Sequence, residues 1–216
     1  MPQKLIVAKL RRNFGDYGFL ITLQKACVGL LSFIFEKRTY CFYVRRLTEN
    51  DLQAPLDPPP PEIRFHYLQP EDSRWIAQIE KIAEWLRGEI RPKLDRGSLC
   101  LIALQGDTVA AFNLISFGTV YIPLLKYDKH FRKDQAWSEH IAVQKPYRQV
   151  GLAVSLRKRV FQELYRRGIR KLYGGTLPTN AVALGLARKT GFRQIADVIF
   201  YRCFSAKSWQ YVRREN

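Results

Sequence analysis

Residues Ile141 to Gly168 read IAVQKPYRQVGLAVSLRKRVFQELYRRG. The stretch opens on a short apolar run, turns at Lys145-Pro146, and passes through Arg148-Gln149-Val150-Gly151-Leu152-Ala153. Beyond it Ala153, Leu156, Val160 and Leu164 recur at three- and four-residue intervals, the spacing of one apolar helix face. Gly168 follows the basic pair Arg166-Arg167, which suits a helix C-terminus. The unit predicted is a strand, a glycine-containing loop and a helix. The first turn of a helix carries N–H groups without intrahelical partners, and the macrodipole makes that end positive. A glycine there removes the side chain that would hold a phosphate away. The loop is therefore a candidate anion cradle with Arg148 at its mouth.

A second stretch keeps it company. Asn180 to Phe192, NAVALGLARKTGF, is an Asn-led helical segment ending in Gly-Phe. The two stretches, in this order and at this separation, resemble the two signatures of the GNAT superfamily of acyl-CoA N-acyltransferases. The resemblance covers roughly residues 62–204. It implies a mixed α/β (α+β) fold, a mostly antiparallel twisted sheet flanked by helices. It also implies acetyl-CoA as co-substrate and transfer of its acetyl group to a primary amine, without a metal. Ile141, Ala142 and Val143 would then pair with the pantetheine arm. Arg148, Gln149, Val150, Gly151, Leu152 and Ala153, with Val154, would present N–H groups to the pyrophosphate. Asn180 would hold the arm or order the sheet near the thioester. Members of the family often use a tyrosine further along the Asn-led helix to protonate the departing thiolate. This sequence has Ala187 there, so either Tyr173, Tyr201 or water acts instead, or thiolate release needs little help, or the fold is kept as a binding module without turnover.

The attacking amine must be neutral, and a primary amine near pKa 10 is mostly protonated at pH 7, so a base is required. Glu139 and His140 stand just before the cofactor strand. A regular strand would put Glu139 on one face with Ile141 and Val143 and His140 on the other. Histidine has the better intrinsic pKa. The carboxylate has the family precedent, and Glu139 is the favoured base. The polar run Lys126 to Asp134 is long enough for an acceptor-side loop, with His130 in it.

The chain has 216 residues, 47% of them hydrophobic, which excludes a disordered protein and leaves room for a proper core. Cys27, Cys41, Cys100 and Cys203 match no metal or nucleophile pattern, and only three histidines are present. They read as reduced thiols of a cytoplasmic protein. Net charge is +17, carried as +6 on residues 1–50, −2 on 51–143 and +13 on 144–216. Coenzyme A is a polyanion but needs fewer cations than this. The surplus implies a membrane surface, a nucleic acid or an acidic glycan. Nucleic acid is the less favoured, because the basic helices lack interleaved aromatics. Leu20 to Phe35 reads as an amphipathic helix flanked by Arg11-Arg12 and Lys37-Arg38. Two placements suit it: on the inner membrane surface, through residues 11–38, or against the protein's own core or a second copy of the chain. No small-residue cleavage site follows it, so a signal peptide is not expected.

Thr39 to Leu47 is aromatic and β-branched enough to be a strand, and LDPPPP at 56–61 should be an extended linker. Residues 1–60 are thus expected to form a helix–strand addition, and 61–216 the acyltransferase domain. Within the latter the sequence predicts a strand at Ile63–Leu68 and a helix through Trp75, Ile79 and Leu86, with a shorter helix at Glu89–Asp95. A hairpin is predicted at Leu99–Leu104 and Val109–Ser116, and a short strand at Val120–Leu124. The acceptor is expected to be a small-molecule or peptide amine, with an RNA-linked amine such as aminoacyl-tRNA as the alternative.

Overall fold

The computed structural model describes residues 35–56 and 62–214. The expected helix at Leu20–Phe35 lies outside these residues except for Phe35, as does most of the proline-rich linker. The strands are β1 (Phe35–Arg46), β2 (Ile63–Tyr67), β3 (Leu99–Gln105), β4 (Thr108–Ser116), β5 (Thr119–Ile122), β6 (Tyr127–His130), β7 (Gln135–Val143), β8 (Lys171–Thr176), β9 (Arg193–Cys203) and β10 (Ala206–Arg213). The helices are α1 (Glu49–Gln53), α2 (Ser73–Ile82), α3 (Ile90–Asp95), α4 (Leu152–Arg166) and α5 (Ala181–Lys189), with a 3-10 turn at Glu84–Leu86 and another at Lys145–Tyr147. Eight strands make one sheet in the order β10-β9-β1-β8-β7-β4-β3-β2, antiparallel except for the β7–β8 pair. This is the mixed, mostly antiparallel sheet that the family resemblance implies.

Both faces of the sheet are covered, which explains the unbroken apolar run of β3. Leu99, Leu101 and Ala103 pack on one side with Leu152, Leu156, Val160 and Leu164 of α4. Cys100, Ile102 and Leu104 pack on the other with Ile76 and Ile79 of α2 and Ile90 and Leu94 of α3. A third cluster joins β1 and β9 to the β5–β6 hairpin through Phe42, Phe200, Ile122 and Phe131.

The N-terminal strand departs from expectation. β1 was to belong to an addition preceding the linker, yet it lies inside the sheet between β8 and β9. Its sequence explains this: Tyr40 and Phe42 enter one cluster and Cys41 and Tyr43 the other, so neither face can meet water. The division at residue 60 therefore does not separate the strands of the core. β1 also begins four residues before the predicted start, at Phe35. Glu36 is a strand residue that accepts from Lys126 Nζ and Arg202 Nε, each at 2.9 Å. The Lys126 bond and its neighbouring cations hold this carboxyl down to about 2. Lys37 and Arg38, read as a membrane-facing flank, stand opposite Tyr201 and Phe200 of β9.

Glycine matters at one crowded point of the sheet. A Cβ on Gly175 of β8 would stand 2.1 Å from Cε1 of Tyr40. The absence of that atom lets the Tyr40 ring lie against β8, only 7% exposed.

Candidate active site

The parallel pairing of β7 and β8 runs from Gln135↔Lys171 to Ser138↔Gly174 and stops there. Beyond that point β7 stays bonded to β4, as far as Ala111↔Val143, and β8 stays bonded to β1, as far as Cys41↔Thr176. The two strands therefore part. The gap opens into a cleft of about 420 Å³, lined by Ser138 to Ala142 of β7, Gly174 to Thr176 of β8, and Asn180, Ala183, Leu186 and Ala187 of the Asn-led segment. Ile141 and Ala142 line this cleft directly, whereas Val143 lines a neighbouring hollow with Arg148.

At the outer end lies the glycine loop. Gln149 (φ 68°) and Gly151 (φ 80°) are both left-handed, and Gly151 caps α4. The backbone N–H groups of Gln149, Val150, Gly151, Leu152 and Ala153 make no hydrogen bond within the described residues. Such a run of open amides at a helix start is the arrangement an anion requires. Val154 does not belong to it, because its N–H donates to Gly151 O at 2.9 Å. Arg148 is exposed and folds back, Nε donating to Val143 O at 3.1 Å. Asn180 caps α5: its Oδ1 accepts from Ala183 N at 3.0 Å, and its Nδ2 makes no hydrogen bond among the described residues.

At the inner end β7 carries a bulge. Leu114 faces His140 and Ile115 faces Ser138, so Glu139 has no partner residue on β4. The regular alternation expected of this strand is thereby broken. Glu139 does not share the face of Ile141 and Val143; Glu139 and His140 both line the cleft and the adjoining cavity of about 710 Å³. That cavity reaches toward Pro92, Lys93, Tyr121 and Pro123, and Tyr40, Trp85 and Leu124 border both spaces. The bulge thus sets both titratable groups at the junction of two spaces.

The two groups are not equivalent. Glu139 Oε1 accepts from Lys93 Nζ at 2.6 Å and Oε2 from Ser116 Oγ at 2.5 Å, and the side chain is 7% exposed. Both oxygens are therefore occupied. The His140 ring makes no hydrogen bond among the described residues and sits 6.3 Å from the Trp85 ring. Burial holds its pKa below the usual histidine value, outweighing the opposing pull of Glu139. At neutral pH it is an uncharged imidazole with a lone pair to offer.

Two residues of the cleft went unnoticed in the sequence. Tyr40 comes from β1, whose position was not foreseen. Arg157 is the other: four residues after Ala153 and three before Val160, it stands on the apolar stripe of α4 and is only 8% exposed. The charged residue on that stripe was the available signal. Its Nη1 donates to Ser138 Oγ at 2.5 Å, its Nε has no partner, and Phe192 lies 5.2 Å beneath the guanidinium. Among the described residues no carboxylate pairs with it. Removing a cation from water costs several kcal/mol, and a desolvated ring contact returns about 2 kcal/mol.

Other candidates lie elsewhere. Tyr173 lines a separate hollow with Tyr127 and Trp209, and Tyr201 stands against Lys37 and Phe35. Of Lys126 to Asp134, Tyr127–His130 form strand β6, and His130 Nδ1 meets Thr119 Oγ1 at 3.1 Å, away from both spaces. Among the described residues there is no metal-competent cluster, and no helix is long and apolar enough to cross a membrane.

Known structures share this architecture. A Drosophila protein aligns at TM-score 0.54 and 16% identity, over 88% of this chain and 59% of its own. A GCN5-related N-acetyltransferase from Sphaerobacter thermophilus aligns at TM-score 0.54 and 17% identity, over 89% and 58%. An Elizabethkingia anophelis GNAT family acetyltransferase with acetyl-CoA bound aligns at TM-score 0.50 and 18% identity, over 64% and 80%. At these identities the likeness is one of fold, and the chain spans under two thirds of the first two structures. No curated protein matches the sequence. The profile of the acetyltransferase (GNAT) family matches residues 44–192, from the end of β1 through Phe192. The chain belongs to the acetyltransferase (GNAT) family.

Proposed function

We propose that this chain is an acyl-CoA-dependent N-acetyltransferase that moves acetyl from acetyl-CoA to a primary amine. The observation that carries the reading is the parting of β7 from β8. It leaves the edge of Ile141–Val143 open between the bare amides of Gln149–Ala153 and the imidazole of His140. The pantetheine arm would complete the β7 edge as a short strand does, through backbone N–H and C=O. The pyrophosphate would rest on Gln149 to Ala153, with Arg148 beside it and Asn180 Nδ2 across the cleft. The thioester then lies near the bulge, and the amine arrives from the larger cavity.

His140 acts as base in this scheme, and Glu139 as a positioning residue tied to Lys93 and Ser116. The neutral amine attacks the thioester carbonyl, the C–N bond forms, and the proton leaves to His140. The C–S bond then breaks and its electron pair departs on sulfur, with no covalent enzyme intermediate. Positioning the two reactants supplies much of the rate, since it replaces a bimolecular encounter.

The reading is tested by incubating the protein with acetyl-CoA and a panel of amino sugars, amino acids, polyamines and peptide amines. Free thiol release and the mass of the acceptor are followed together. Thiol release matched by acetylation of at least one amine is expected. Acetyl-CoA binding without thiol release above buffer for any amine would point instead to a binding module, a reading to which the alanine at position 187 lends some support.

A further inference from the structure

We propose that the Arg157 guanidinium receives the negative charge of the CoA sulfur as it departs. The inference rests on the acetyl-transfer reading above and deepens it. Arg157 hydrogen-bonds Ser138, a member of the last β7–β8 pair, so it stands at the apex where the strands part. It is 8% exposed, lines the cleft, and has an unpartnered Nε. Burial pushes its pKa down to about 10, which leaves it charged at neutral pH. A buried cation without a carboxylate awaits an anion.

The phosphates of CoA are not that anion. They would sit at the loop before α4, and Arg157 lies about 9 Å further along the helix axis from Gly151. The charge that appears at the apex is the electron pair of the broken C–S bond. Proton donors for it are poorly placed or poorly tuned. Position 187 is alanine, Tyr173 and Tyr201 lie outside the cleft, and burial pushes the Tyr40 and Tyr43 hydroxyls above the ordinary tyrosine value. The sulfur therefore leaves as a thiolate paired with Arg157, while the proton of the amine is on His140. Arginine donates no proton in this step; it stabilises the anion by charge and hydrogen bonding in a low-dielectric site.

The test titrates CoA bound to the full chain by thiolate ultraviolet absorbance, beside affinities for CoA and desulfo-CoA. In the wild type, bound CoA should ionise at least one pH unit below free CoA, and CoA should gain on desulfo-CoA, by up to about tenfold for one unit, as pH rises from that lowered value through the free thiol's. Arg157→Gln should abolish both differences, and Arg157→Lys should restore part of them. The wild-type comparison decides the matter even if Arg157→Gln fails to fold. Bound CoA that titrates as free CoA does, with desulfo-CoA binding equally well, overturns the role of Arg157 alone. A preference for a CoA thioester with a terminal carboxylate, alongside that unshifted titration, would assign Arg157 to acyl selection and likewise overturn it. Failure to bind either CoA form overturns the acetyl-transfer reading and this inference with it.

Discussion

Replacing His140 with alanine should lower kcat by about 10²-fold or more at neutral pH while leaving acetyl-CoA affinity unchanged. The imidazole stands where the cofactor cleft meets the larger cavity, and its ring makes no hydrogen bond among the described residues. The pH dependence carries the sharper signature. Burial disfavours the imidazolium, so the group takes up its proton only below the ordinary histidine pKa of about 6.5. The wild-type kcat, read with the neutral amine bound, should therefore be flat near neutrality and fall as pH drops through that lowered value. His140→Ala should lack this acidic limb. Glu139→Gln should keep it but move it to lower pH, because the Glu139 charge raises the His140 pKa. If His140→Ala retains the limb and Glu139→Gln loses it, the base is the carboxylate, as the sequence alone favours. Steady-state kinetics on the first acceptor identified, across pH, separates the two.

The second large effect is expected at the glycine loop. Gly151→Glu should weaken CoA binding by about an order of magnitude or more, measured by calorimetry on a folded variant. Two causes act together. Gly151 holds φ at 80°, a conformation that costs an L residue about 1–2 kcal/mol. The introduced carboxylate would also point its charge at the pyrophosphate. Gly151→Asn separates the causes, since asparagine tolerates the left-handed region and carries no charge, and it should lose less. Unchanged affinity in Gly151→Glu would mean that the phosphates bind elsewhere.

Local pattern carried much of this architecture. The strand, loop and helix of 141–168 appear as β7, a 3-10 turn and α4, because apolar period and glycine placement are properties of neighbouring residues. The same holds for α5 behind its Asn180 cap and for the β3–β4 hairpin. What depends on distant partners was not legible. β1 precedes the proline linker in the chain yet pairs with β8 and β9, a choice settled by strands more than a hundred residues away. The bulge at Glu139 exists only relative to β4, so no alternation rule applied to β7 alone could find it. Arg157 was overlooked for a different reason: a long cationic side chain beside an apolar stripe usually carries its charge out to water, and here the sheet closes over it.

Amide hydrogen exchange with and without acetyl-CoA tests the central claim most directly, because it needs no acceptor. The account predicts new protection in two segments, Glu139–Val143 on the open edge of β7 and Gln149–Ala153 in the glycine loop. Protection should be much reduced in the loop of Gly151→Glu. Saturating acetyl-CoA that protects neither segment, or protects only the β9–β10 edge, would contradict the placement of the cofactor and the mechanism built on it.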